Sequence, residues 1–117
     1  MISALVAAIL FSSSPDSIGK SPEELAKTEL VAAKQAYLDA RKNKSNLEEA
    51  SFKYGEVVVN SPVLGPKDKY PLALALFRQT LAINPDNSKA KEWENQIESI
   101  YASLGKEPTE FDLNTIK

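Results

Sequence analysis

The chain has 117 residues, a length that corresponds to one small domain with one modest hydrophobic core. Hydrophobic residues make up 43% of the composition and charged residues 26%, a balance typical of globular proteins. Cysteine and histidine are both absent from the sequence. Their absence excludes disulfide scaffolds, Cys/His zinc sites, thiol nucleophiles and Ser-His-Asp triads.

Charge is balanced, with 14 basic and 16 acidic residues and a formal net charge of −2. Both signs are spread evenly along the chain, and no basic stripe of the kind that binds nucleic acid is visible. The one basic cluster, at Arg41, Lys42 and Lys44, falls at the predicted end of a helix, where the helix dipole favours cations. We therefore expect no nucleic-acid partner.

The N-terminal segment, residues 1–20, combines an apolar run with a polar linker. Residues 2–11 read ISALVAAILF and contain no charge. A membrane-spanning helix needs about twenty such residues, and a secretory signal would begin with a basic stretch. Two interpretations stay open: a remnant of a signal peptide or membrane anchor, or a short helix that packs on the domain. Export or membrane association is thus as well supported as a cytoplasmic location.

Capping residues and apolar spacing predict the first two helices. Ser21 is followed by Pro and, three residues on, by Glu24, which together form a capping box and predict a helix over residues 22–42. Ser45 and Glu48 repeat the same pattern and predict a second capping box at the start of the next helix.

Residues 60–69 contain two prolines and a glycine and are predicted as a long loop. This loop is either a docking tip or a cover for the core. A third helix begins near Pro71 and stops before Pro85, and a fourth ends near Gly105. The tail, residues 106–117, is predicted to be loose. The fold class predicted is all-α.

The spacing within these helices resembles that of the tetratricopeptide (TPR) repeat family. Ala73, Phe77 and Pro85 match the small, aromatic and proline positions of the second helix of a repeat and its closing turn. Tyr54 and Gly55 match an apolar–glycine pair in the first helix. Small residues allow the paired helices to approach closely, and stacked neighbours bury the remaining apolar face.

A second fragment stands in the same register one repeat earlier. Ala33, Tyr37 and Ala40 match the small, aromatic and small positions of a second helix. The resemblance covers about residues 30–101 and implies an antiparallel helix-turn-helix array.

The resemblance has departures that affect what it implies. Val58 replaces an aromatic residue, and six extra residues account for the insertion at residues 60–69. Glu94 and Asn95 stand where a third apolar–glycine pair belongs, so the last helix is expected to act as a C-terminal capping helix. Only one helix pair is complete within the domain, residues 21–105, so the flanking helices or a second subunit must close the core.

In the TPR family the first helix of each pair lines a concave groove that holds a partner segment. The positions that the resemblance directs toward this groove are Glu49, Phe52, Lys53, Glu56, Val59, Lys89, Glu92, Trp93 and Gln96. The carboxylate-gripping subfamily has Lys and Asn where this chain has Phe52 and Glu56, so an acidic tail is not the expected ligand. The glutamates favour a basic or amphipathic segment, although such charges also serve only to keep a surface soluble.

Trp93 has two interpretations, a core residue or an interface anchor.

The function predicted is a non-enzymatic interaction scaffold, adaptor or assembly factor that uses no cofactor and no metal. The alternative is a membrane-tethered helical structural subunit of a larger complex, with a helical carrier for an apolar ligand as a weaker third. The oligomeric state stays open.

Overall fold

The structure is a computed structural model that describes residues 20–117. Within that range the elements are α1 (Pro22–Asn43), α2 (Leu47–Asn60), α3 (Pro66–Ile83), α4 (Ser88–Ser103) and a 3₁₀ helix (Leu113–Thr115). The all-α prediction is confirmed for this part of the chain. None of the described helices has the length and apolar character that a membrane span requires. The predictions for residues 2–11 and for most of the linker lie outside the described residues.

The capping box at the start of α1 is confirmed. The Glu24 amide donates to the Ser21 hydroxyl at 3.1 Å, and the Ser21 amide donates to the Glu24 carboxylate at 3.0 Å. The predicted capping box of Ser45 and Glu48 is wrong, because α2 starts after Asn46, which has a φ of 59° and makes no side-chain cap. Glu48 has other donors instead, from the turn between α3 and α4.

Those donors are the side-chain amides of Asn84 and Asn87, which donate to one Glu48 carboxylate oxygen at 2.9 and 3.0 Å. The Ser45 amide is itself engaged at the end of α1, where it donates to the Ala40 carbonyl at 3.1 Å, while the two asparagines bond Glu48. The first turn of α2 is thereby joined to the turn that follows α3.

The long loop predicted at residues 60–69 is half helical, because residue 60 and residues 66–69 belong to the flanking helices, which corrects that prediction. Pro66 takes the first position of α3, where its missing N–H costs nothing, and Pro71 lies buried inside the helix. The connection is therefore only residues 61–65, and within it Leu64 packs against the core. The sequence left two roles open for this segment, a docking tip or a cover for the core. The packing of Leu64 supports the second role.

Short connections join consecutive helices into antiparallel hairpins, and among the helices of residues 20–117 substantial packing occurs only between neighbours in the sequence. Lys69 near the start of α3 donates to the carbonyl of Ser61 just after α2, at 2.8 Å, while Asn84 at the other end of α3 reaches the start of α2. The described residues thus form a row of helices in which α3 packs between α2 and α4.

The core lies along α3, where α2 and α3 approach each other closely at Gly55. A Cβ atom on Gly55 would stand 2.9 Å from the ring of Phe77, so only glycine fits this position. The Ser51 and Thr80 hydroxyls, both fully buried, hydrogen-bond across the same interface at 2.9 Å. The largest fully buried side chains are Tyr37, Phe77, Leu74, Leu76, Ile97 and Val58.

The prediction of a loose tail at residues 106–117 is corrected for residues 111–117, which dock on the core. Ile116 is 6% exposed, and Phe111 and Leu113 pack against the core. The Arg41 guanidinium donates to the carbonyls of Leu113 at 2.9 Å and Ile116 at 2.7 Å. Burial of three apolar side chains, together with these charge-assisted bonds, offsets the entropy lost when the segment is ordered.

Candidate functional site

The structure brings the residues that the resemblance directed to a groove onto one face, from two helices that are not neighbours in sequence. Those on α2 are Glu49, Phe52, Lys53 and Glu56, and those on α4 are Lys89, Glu92, Trp93 and Gln96. Both helices pack on α3, which sets their separation. Val59 is an exception, because it packs half-buried against the core. We call the surface that the other eight residues share with α1 the concave face.

The first depression of the concave face lies between α1 and α2 and encloses about 740 Å³. Asp39 of α1 and Glu49, Lys53 and Glu56 of α2 supply its charges. Phe52 supplies the apolar contact, with its ring centroid 5.7 Å from that of Phe77 in an edge-on arrangement. An aromatic ring that packs on the core and also lines a depression is suited to contact an apolar side chain of a partner.

The second depression lies between α2 and α4 and encloses about 770 Å³. It is lined by Glu56, Lys89, Glu92, Trp93, Asn95, Gln96 and Ser99. A smaller hollow at the other end of α2, which includes Glu29, is also bordered by Glu56. Glu56 therefore stands where all three concavities meet.

Trp93 belongs both to the core and to the concave face, so the two interpretations offered by the sequence describe different sides of one ring. The indole stacks on Phe77 with centroids 5.6 Å apart and planes 5° apart. The side chain is half-buried and also lines the second depression. Its Nε1–H donates to the Glu56 carboxylate at 3.4 Å.

Glu56 is a half-buried carboxylate without a cation. Among the residues that the structure describes, no basic nitrogen lies within 4.0 Å of it, and Lys53, one turn earlier on α2, makes no ion pair with it. Its one side-chain hydrogen bond within this range is the long one from Trp93.

The concave face as a whole is acidic. The carboxylates that line its three concavities are Glu29, Asp39, Glu49, Glu56 and Glu92, against the two lysines Lys53 and Lys89. This excess contrasts with the near balance of the whole chain and attracts basic ligands.

A different stripe of α4 carries paired charges. Arg78 of α3 bonds Glu94 at 3.2 Å and Glu98 at 2.8 Å, and Lys91 bonds Glu94 at 2.9 Å. Burial raises the pKa of Glu94, but the hydrogen bonds from Lys91 and Arg78 outweigh it and hold that pKa below its ordinary value. These glutamates are satisfied by structural ion pairs, which is the arrangement of a solvated helix face.

Burial, with a smaller contribution from Tyr37, raises the pKa of Tyr54, which lies in the core and not on the concave face.

Within residues 20–117, no three carboxylate side chains come together in a way that would hold a metal ion.

Sequence reasoning missed the surface on which the tail docks. Arg41 lies over the ring of Tyr37 at 5.5 Å and holds the tail from α1, while Pro71 and Leu74 of α3 border the hollow beside it. The available signal was the apolar spacing of Phe111, Leu113 and Ile116 within a short polar stretch.

The described residues thus define the protein's class as all-α, a row of antiparallel helices with one concave, acidic face. Comparisons with known protein families, with curated proteins and with solved structures returned no match. The resemblance to TPR repeats therefore depends on the residue pattern alone.

Proposed function

We propose that this protein is a non-enzymatic interaction module of TPR-like arrangement, a scaffold, adaptor or assembly factor whose concave face holds a basic or amphipathic segment of a partner protein. The observation that carries the proposal is the continuity of the face. Two depressions and a smaller hollow meet at Glu56, and the half-buried rings of Phe52 and Trp93 stand on either side of it.

The packing of the helices supports the TPR-like part of the proposal. Gly55 lies under the ring of Phe77, as a repeat with a small residue facing an aromatic residue requires. Ala73 and Ala90 are fully buried, so small residues stand where neighbouring helices meet. Row-wise packing between sequence neighbours is the organisation of stacked repeats.

The chemistry of the face supports a basic or amphipathic partner. Acidic side chains outnumber basic ones along it, and two aromatic rings offer apolar contact. A partner helix or extended segment with cationic and apolar positions complements both features.

The proposal is tested with two charge-reversal variants of the full chain that change the net charge equally. One carries Glu49→Lys, Glu56→Lys and Glu92→Lys on the concave face, and the other carries Glu23→Lys, Glu107→Lys and Glu110→Lys elsewhere. Wild type and both variants are first shown by circular dichroism to have the same helix content. They are then used to retain partners from a native lysate.

We expect a protein retained by wild type and by the second variant to be lost from the first. Equal retention by all three forms would place the contact outside the concave face and contradict the proposal. Loss from both variants to the same degree would assign the binding to net charge alone.

A further inference from the structure

The second depression contains a carboxylate and an aromatic ring in an arrangement suited to one kind of side chain. We propose that it is an acceptor for an arginine of the partner segment, with the guanidinium paired to Glu56 and stacked on the indole of Trp93. This inference rests on the proposed function and names the residue of the partner that the concave face recognises.

Glu56 has unused hydrogen-bonding capacity. A carboxylate offers about four acceptor positions, and this one receives a single side-chain N–H at the long distance of 3.4 Å. Partial burial weakens its hydration, so a cationic donor that reaches it gains more than it would at a fully exposed glutamate. A guanidinium has parallel N–H groups that bond both carboxylate oxygens at once.

Trp93 offers a platform beside that carboxylate. Phe77 stacks on the indole with nearly parallel planes, and the half-buried ring also lines the second depression. Because Nε1 of the ring donates to Glu56, a cation over the part of the ring that lines the depression also lies next to the carboxylate. A cation over a tryptophan ring is attracted by its quadrupole, and a ring held in place by stacking loses little entropy on binding.

The geometry favours arginine over lysine. A planar guanidinium stacks on an indole while its edge donates to a carboxylate, whereas an ammonium group cannot stack and donates as a point charge. Lys89 and Glu92 are exposed charges of opposite sign in the same lining and offset one another. Neither pairs with Glu56 within the described residues.

The single tryptophan of the chain makes the test direct, because a ¹⁵N-labelled sample shows one indole N–H signal. The full chain is titrated at low salt with N-acetyl-arginine methylamide, and separately with the corresponding lysine and citrulline compounds. Citrulline keeps the shape of arginine and removes its charge. We expect a saturable shift of the indole signal with arginine, with Kd on the order of 10 mM, a shift several-fold weaker with lysine, and none with citrulline.

Two variants separate recognition by Glu56 from a general effect of charge. Glu56→Gln should abolish the arginine-dependent shift, and Glu110→Gln, which removes one exposed carboxylate from the tail, should leave it unchanged. A shift of equal size with citrulline, or an arginine shift that survives Glu56→Gln, would overturn the inference.

Failure of this inference is distinguishable from failure of the proposed function. If no probe shifts the indole signal while the concave-face charge reversals still abolish partner retention, the face binds its partner without an arginine at Glu56. If the arginine shift appears as expected but retention is insensitive to those reversals, the acceptor exists and the proposed use of the face is wrong.

Discussion

The two sides of the helix row differ in whether their polar groups find partners within the chain. On the side where the tail docks, Arg41 donates to two backbone carbonyls and Ile116 fills an apolar slot, so this surface is complete. On the concave face, Glu56 pairs with no cation among the described residues, and Trp93 lines a depression. Within the described part of the chain, the fold thus pairs an arginine on one surface and leaves a glutamate without an ion-pair partner on the other. A carboxylate of this kind attracts a cationic ligand.

Both aromatic rings of the concave face, Phe52 and Trp93, pack on Phe77, so the loss of Phe77 tests the support of that face. Phe77→Ala should lower the free energy of unfolding by about 3–5 kcal/mol, because a fully buried aromatic ring leaves a cavity. Trp93 loses its stacking partner at the same time, and its fluorescence emission should shift to the red. A variant with wild-type denaturation midpoint would contradict the central position of this ring.

The docking of the tail is tested next, by removing its buried anchor. Ile116→Ala should cost about 2–4 kcal/mol in urea denaturation, because Ile116 is 6% exposed. Ile83→Ala is the matched control, since Ile83 is 46% exposed and its truncation should cost about 1 kcal/mol or less. Equal effects of the two substitutions would show that the tail does not bury its isoleucine.

The next test compares how much substitutions of Arg41 and of Glu56 change the stability of the fold. Arg41→Ala should cost about 1–3 kcal/mol, because two carbonyls lose a charged donor and Tyr37 loses a stacked guanidinium. Glu56→Gln should change stability by about 0.5 kcal/mol or less, because no ion pair is lost. A Glu56→Gln penalty as large as that of Arg41→Ala would show that Glu56 has a structural partner and would end the contrast.

The smallest expected effect is the pH dependence of the ion pairs around Glu94. Its pKa is lower in the folded protein than the ordinary value of 4.5, so the folded state binds its proton less tightly than the unfolded state. The resulting stabilisation is present above the unfolded pKa and disappears as pH falls through the folded one. Free energies of unfolding of wild type and Glu94→Gln, measured by urea denaturation from pH 7 downward, should differ by about 1 kcal/mol or less at neutral pH and converge as pH falls through the folded pKa of Glu94. A difference that grows on acidification would contradict this sign.

Local signals in the sequence predicted the helix ends well where those ends are set by residues close together in the sequence. The capping box at Ser21 and the end of α3 before Pro85 depend on atoms a few residues apart, and both were predicted correctly. The Ser45 box failed because α2 starts after Asn46 and the Ser45 amide bonds the Ala40 carbonyl, and Glu48 is bonded by two asparagines more than thirty residues away. Contacts between residues so far apart in the sequence cannot be predicted from the spacing of residues a few positions apart.

The same distinction applies to the surfaces. The resemblance to TPR repeats directed Glu49, Phe52 and Glu56 to one side of α2, and their spacing agrees with this because residues three and four apart share a helix face. Their meeting with Trp93 depends on α3, which separates α2 from α4 and packs against both. The docked tail was not predicted, since its order depends on Arg41 far back in the chain.

By itself, then, the sequence determined the all-α class, most helix limits, and which side chains share a face of each helix, because these follow from capping, proline placement and a period of 3.6 residues. Tertiary structure alone decided that residues 111–117 dock on the core and that Glu56 lies beside Trp93 with no ion-pair partner among the described residues. These outcomes depend on which groups bury or bond one another across the fold, and that competition is resolved only when the helices pack.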